Sequence, residues 1–217
     1  MIRCSICLGV LLAFAVTAAT PQMDTATLLK RIEERYNHAK TLQVHFTEGY
    51  TAQGQARKPE EGTLILRKPG RMRWVYTQPP GKLFVSDGRN VWLYTPAQNR
   101  VEKVPLTESE DMRAPLAFLL GKLDFIREFK DFSVKPDPSG GWDITAAARS
   151  DRLPYDKIEM TVAPDFSITN LKVTGADQSV LTFAFSDEKV NPHVADAEFR
   201  FVMPPGATLA TEEAINR

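Results

Sequence analysis

The chain predicts a mainly β fold with a few helices (α+β), built on one strongly curved antiparallel sheet of about ten to twelve strands. Three observations carry this expectation. Between Gly62 and Leu106 lie five short apolar runs, separated by Pro69-Gly70, Pro79-Pro80-Gly81, Asp87-Gly88 and Pro96. These connections are too short for crossover helices, so the runs must pair antiparallel as a meander. A second set of runs extends from Asp131 to Phe185, and only two or three stretches carry helical periodicity.

The first 19 residues read as a cleaved export signal: Met1-Ile2-Arg3 is a short positive start, Ile6 to Ala15 an apolar core, and Ala18-Ala19-Thr20 a small-residue cleavage region. The apolar stretch is too short for a membrane span, and no second one follows. Neither Cys4 nor Cys7 follows the apolar core, where a lipid-modified cysteine would stand. Cleavage is expected after Ala18 or Ala19, leaving residues 20–217 as one exported, soluble domain of roughly 200 residues without cysteine. The whole chain has 27 basic and 27 acidic residues, so loss of Arg3 leaves one net negative charge. That near-neutral balance disfavours nucleic acid or an anionic membrane surface as the main partner.

An amphipathic helix is predicted over Thr25 to Lys40. Leu28, Leu29, Ile32, Tyr36 and Ala39 share one face, Asp24 is the candidate N-cap, and Arg31, Glu33, Glu34 and Lys40 face solvent. Leu42, Val44 and Phe46 then alternate with Gln43, His45 and Thr47 as a strand. The meander strands are Gly62–Leu66, Met72–Thr77, Lys82–Ser86, Val91–Thr95 and Arg100–Leu106. Met112 to Lys122 reads as a second, more apolar helical region, and Leu123 to Phe129 adds a further turn or two. Strands resume at Asp131–Lys135, Trp142–Ala147, Tyr155–Val162, Ser167–Val173 and Val180–Phe185. A last strand is predicted at Glu198–Val202, followed by a poorly ordered tail. A single sheet of this size must curl, and the helices are the elements available to cover its concave apolar side. They either fill it as an ordinary core or close it as a lid over a cavity.

No catalytic constellation is visible. The sequence has no Gly-x-Ser-x-Gly elbow, phosphate-binding glycine loop or dinucleotide fingerprint, so no cofactor is expected. His38, His45 and His193 lack ligand spacing and read as solvated side chains rather than a metal site, and Glu108, Glu110 and Asp111 read as a solvated loop. One polar placement stands out. Leu64 and Leu66 share a strand face, and the next residue on that face is Lys68, just before the Pro69-Gly70 turn. Its ammonium either snorkels to water or bonds to carbonyls at a helix end. Across the turn, Met72, Trp74 and Tyr76 share a face, with Arg71, Arg73 and Val75 opposite.

The block from Gly62 to Trp74 (GTLILRKPGRMRW) resembles the signature strand pair of the LolA family. So do its continuations Thr77-Gln78-Pro79, Leu83 to Gly88 and Val91 to Pro96, the apolar helix with Pro115, Phe118 and Leu119, and the closing Phe199-Arg200-Phe201 with Pro204-Pro205-Gly206. The resemblance implies an incomplete β-barrel covered by a helical lid. It implies a periplasmic, non-enzymatic carrier that takes acylated lipoproteins from an inner-membrane ABC transporter to an outer-membrane acceptor of the LolB kind, acting as a monomer. Leu64, Leu66, Met72, Trp74 and Tyr76 would line the apolar cavity, with Met72 and Trp74 near its entrance. Leu28, Leu29, Ile32, Pro115, Leu116, Phe118 and Leu119 would form the lid. Lys68 stands where the family commonly has an arginine bonded to the lid, and would latch to carbonyls around Pro115 to Gly121. Lysine keeps the charge but lacks the planar fork of arginine. The chain end is shorter than in members with an extra C-terminal strand. Two other readings stay open: a carrier of another lipid or glycolipid, and a periplasmic sensor or scaffold on the same fold.

Overall fold

The computed structural model describes residues 23–106, 123–150 and 155–210. The expected signal segment lies outside these, as do Pro115, Leu116, Phe118 and Leu119. The first element is helix α1, Thr25–His38. Asp24 caps it, accepting from Thr27 N at 3.0 Å and from Thr27 Oγ1 at 2.7 Å. These bonds satisfy a first-turn donor that the helix itself cannot. Leu28, Leu29, Ile32, Tyr36 and Ala39 are all buried, as their spacing predicts. The helix stops two residues before the predicted end at Lys40. Lys40 N donates to Asn191 Oδ1 at 2.8 Å, which turns the chain directly into a strand.

The strands, in chain order, are β1 (Thr41–Ala52), β2 (Gln55–Ala56), β3 (Glu60–Arg67), β4 (Arg71–Gln78), β5 (Leu83–Asp87), β6 (Asn90–Thr95) and β7 (Arg100–Pro105). A one-turn helix α2 (Phe125–Glu128) precedes β8 (Phe129–Pro136), β9 (Trp142–Ala148), β10 (Tyr155–Val162), β11 (Ile168–Gly175), β12 (Val180–Val190) and β13 (Thr208–Leu209). They form one 13-stranded sheet in the order β13-β7-β6-β5-β4-β3-β1-β12-β11-β10-β9-β8, with β2 paired to β1. The count exceeds the expected ten to twelve because β2 and β13 are two-residue strands. Strand β1 is the hinge of the topology: it pairs with β3 on one side and β12 on the other, so it joins the two meanders. All the long strands pair antiparallel, while β13 runs parallel to β7.

Turn chemistry sets the β3–β4 hairpin. Gly70 has φ +66°, and an added Cβ would meet Gly88 Cα at 3.3 Å. The buried Ser86 hydroxyl donates to Gly70 O at 2.8 Å and ties that hairpin to the next one.

The predicted strand Glu198–Val202 is a correction. Asp196–Phe199 is a 3-10 turn, and the segment lies across the outer side of β3 and β4 without joining the sheet. The apolar alternation of Phe199 and Phe201 is real, but it serves side-chain docking: Phe199 is buried, and Phe201 stacks on Trp92 with centroids 5.9 Å apart. Beyond it, the tail expected to be poorly ordered contributes β13, with Thr208 N bonded to Asn99 O at 3.0 Å.

Candidate functional site

The inner side of β1, β3 and β4 is a continuous apolar floor. Leu42, Val44, Phe46, Leu64, Leu66, Met72, Trp74 and Tyr76 are each no more than 5 % exposed. They belong to one core with Leu28, Leu29, Ile32 and Tyr36 of α1. The centre is aromatic. Phe46 meets Trp74 edge-on at 4.6 Å and Tyr76 at 5.2 Å between centroids, and Phe183 of β12 lies 5.9 Å from Trp74. Gly62 makes room for this cluster: a Cβ there would fall 2.2 Å from Val75 O and 3.0 Å from a ring carbon of Phe46. The buried indole N–H of Trp74 is satisfied by Met72 Sδ at 3.4 Å. Methionine is an adaptable neighbour for such a surface. The structure thus brings all five sequence-predicted floor residues together, and sets the three described lid residues of α1 against the same core.

Polar groups hold α1 over this floor. Lys68 Nζ donates to Tyr36 O at 2.7 Å. In a continuing helix the N–H of residue 40 would take that carbonyl. Here Lys40 N has turned to Asn191, and the lysine ammonium takes its place as a C-cap at the favourable end of the helix dipole. Burial depresses the Lys68 pKa. The carbonyl reached belongs to α1; the segment 115–121 lies outside the described residues. Next to this contact, Arg35 donates to Glu188 Oε1 from Nε at 3.0 Å and from Nη2 at 2.6 Å. Tyr36 Oη donates to Glu188 Oε2 at 2.9 Å and accepts from Ile168 N at 2.8 Å. Burial, and then the Glu188 charge, push the Tyr36 hydroxyl pKa up, so it stays a donor. Asn37 grips the backbone of Leu123 in both directions, at 2.8 and 2.7 Å, and Glu33 accepts from Phe125 N at 2.7 Å. Glu33, expected to face solvent, caps α2 instead.

Among the described residues, the side-chain hydrogen bonds from α1 to the rest of the fold all come from Glu33 onward. The earlier turns, with Leu28, Leu29 and Ile32, sit on the floor through apolar contact. Sequence reasoning missed Arg35, Asn37 and Glu188, because their partners are some 86 to 153 positions away. It also missed Glu48, although Glu48 continues the parity of Leu42, Val44 and Phe46 and so was visible as a charge on an apolar row.

The outer side of the same strands is cationic. Arg67 and Arg71 are direct cross-strand partners, an unfavourable pairing that Asp196 relieves by accepting from both. Arg67 also donates to Val194 O and lies over the Phe199 ring, while Arg73 donates to Glu198 O at 3.2 Å. On the other half of the sheet, a groove of about 610 Å³ with a mixed lining crosses β8 to β12, where Lys135, Asp143, Glu159 and Lys172 stand beside Ile144, Met160, Leu171 and Phe183.

An open curved sheet whose apolar inner side is closed by an amphipathic helix defines a class of half-barrel proteins. The chain belongs to the LolA family: the family model described as outer membrane lipoprotein carrier protein LolA matches residues 37–202. An outer-membrane lipoprotein carrier protein of Methylobacillus flagellatus is 27 % identical over 198 residues, covering 91 % of this chain and 95 % of that protein. One from Proteus mirabilis is 26 % identical over 196 residues, covering 90 % and 94 %. Among solved structures, an uncharacterized conserved protein from Thermus thermophilus has the same fold, with a TM-score of 0.52 and 13 % identity, covering 85 % of this chain and 97 % of that one. Among the described residues no helix is long and apolar enough to cross a membrane.

Proposed function

We propose that this protein is a periplasmic, non-enzymatic carrier that buries the acyl chains of lipoproteins on the inner side of β1, β3 and β4 and delivers them to the outer membrane. The observation that carries the reading is an apolar floor covered by a helix whose side-chain hydrogen bonds to the rest of the fold, among the described residues, all come from Glu33 onward. Each methylene removed from water contributes about 0.8 kcal/mol. An acyl chain entering here competes with Leu28, Leu29 and Ile32 for the same surface. Binding therefore exchanges one apolar cover for another, and its net strength stays low enough for release without ATP hydrolysis by the carrier. Helix α1 swings on its C-terminal attachments, Arg35–Glu188, Tyr36 and Asn37, and the Lys68 bond to Tyr36 O stiffens that same pivot and favours the closed position. The sequence supports delivery to this compartment through a leader cleaved after Ala18 or Ala19, which N-terminal sequencing of the exported protein checks. An inner-membrane ABC transporter as donor and a LolB-like acceptor complete the route.

The test is transfer of a purified acylated lipoprotein from carrier to acceptor membranes. Met72→Glu places a carboxylate against hydrocarbon, and uptake should fall at least tenfold with the fold retained. Lys68→Leu removes the donor to Tyr36 O and adds apolar surface, so release should slow; Lys68→Arg should transfer like wild type or better. Uptake by Met72→Glu equal to wild type would sink the floor assignment. Equal release by all three Lys68 forms would reduce Lys68 to a helix cap. Native mass spectrometry of protein from its own periplasm identifies the cargo: lipoprotein supports the proposal, and a free lipid or no ligand redirects it.

A further inference from the structure

The apolar row of β1 ends in a charge. After Leu42, Val44 and Phe46, the same side of the strand carries Glu48, half-buried. Glu60 of β3 stands directly across from it in register. The Tyr76 hydroxyl of β4 lies close enough to Glu48 to interact with its carboxyl. Lys82, in the turn before β5, pairs with Glu60, and its ammonium lies 4.3 Å from the centroid of the Tyr76 ring. On the other flank, β12 presents Phe183 in register with Glu48, between Thr182 and Ala184, and so adds no titratable group. Two carboxylates thus share one ammonium, and that ammonium is engaged by Glu60. Among the described residues, Glu48 is left with the neutral Tyr76 hydroxyl, at the end of the floor opposite Lys68.

We propose that Glu48 is a proton-operated stop at this end of the apolar floor, neutral when hydrocarbon covers it and ionised when water does. The inference rests on the reading that the floor takes acyl chains. Hydrocarbon laid over a carboxylate strips its water, which penalises the charged form. Ligand uptake therefore carries one proton from solvent onto a Glu48 carboxyl oxygen, and release returns it. The ligand-free protein is poised for this exchange: burial first, then the charge of Glu60, pushes the Glu48 carboxyl up to about 7, against the pull of Lys82. The coupling is reciprocal, so affinity for apolar ligand is flat on the acid side of that value. Above it, affinity falls by up to about tenfold per pH unit, until the ligand-bound form also ionises.

The experiment is a fluorescence titration of the whole mature protein with N-phenyl-1-naphthylamine, an apolar probe that stays uncharged from about pH 6 to about pH 8.5, where one coupled proton gives the slope described. Wild type should lose affinity above about pH 7, with close to the one-proton slope. Glu48→Gln, whose amide mimics the neutral acid, should bind as wild type does at low pH and show no slope. Glu60→Gln removes the neighbouring charge and frees Lys82 to face Glu48, so the fall should begin at lower pH; this second variant decides the matter should Glu48→Gln fail to fold. A flat profile in wild type with the probe bound overturns the stop while leaving the apolar floor intact. A slope that persists in Glu48→Gln assigns the proton elsewhere and also overturns it. No probe binding at any pH removes both the stop and the acyl-binding reading.

Discussion

Strands β3 and β4 are covered on both sides, and the two covers differ in kind. Inside, Leu64, Leu66, Met72, Trp74 and Tyr76 meet the apolar face of α1. Outside, Arg67, Arg71 and Arg73 meet Asp196, Glu198 and two backbone carbonyls of the 194–198 segment. Apolar contact is non-directional and roughly proportional to area, so one hydrocarbon surface can replace another with little loss. Charge-assisted hydrogen bonds depend on distance and direction, so the outer segment is held in a single register. A fold that must exchange one cover and keep the other is served by this division.

The comparison breaks most severely inside. Trp74 is fully buried and touches Phe46, Tyr76 and Phe183. Trp74→Ala should cost about 3–5 kcal/mol in urea unfolding, since the cavity is too large to collapse. A loss below about 1 kcal/mol would mean that α1 and the floor are already loosely joined.

A second prediction sharpens the contrast within the inner side itself. The folded Glu48 carboxyl titrates near 7, above its ordinary value of 4.5. A group whose pKa rises on folding contributes stability that is fully present below the unfolded value and is lost as pH rises through the folded one. The urea midpoint of wild type, measured against Glu48→Gln, should therefore fall between about pH 4.5 and about pH 7 and level off above. Asp87, Glu159 and Asp165 are shifted the opposite way and give stability that is lost on acidification, which is why the difference between the two proteins is the useful quantity. A difference that stays constant with pH would show that Glu48 is solvated.

The smallest effect is expected outside. Asp196 is 74 % exposed, so its ion pairs are screened and contribute little. Arg67→Ala should cost about 1 kcal/mol, mostly through the lost stem and ring contact over Phe199. Amide exchange over 194–201 should rise clearly, while binding of apolar ligand stays within about twofold of wild type. A large loss of ligand binding in this variant would show that the two covers are coupled through the sheet.

What was legible in the sequence follows from short-range rules. The period of Leu28, Leu29, Ile32 and Tyr36 specified which side of α1 is buried, and the alternation through Leu64, Leu66, Met72, Trp74 and Tyr76 specified the floor. The Pro and Gly clusters specified the hairpins, because turn geometry is local. Lys68 was recognisable as a polar residue at the end of an apolar row that could reach a helix-end carbonyl, but the resemblance pointed to carbonyls around Pro115 to Gly121, outside the described residues, and not to Tyr36 of α1.

The tertiary structure decided what depends on chain ends meeting. That Lys68 caps Tyr36 O, and that Arg35 and Tyr36 converge on Glu188, follows only once β12 returns beside β1. The Phe199–Phe201 alternation had the period of a strand, yet the outer arginines drew that segment onto the sheet's face rather than into its ladder. Alternation records that one side of a segment is buried and is silent on what buries it. Periodicity is a property of one segment, which the sequence carries by itself; partnership is a property of two, and only the folded chain supplies it.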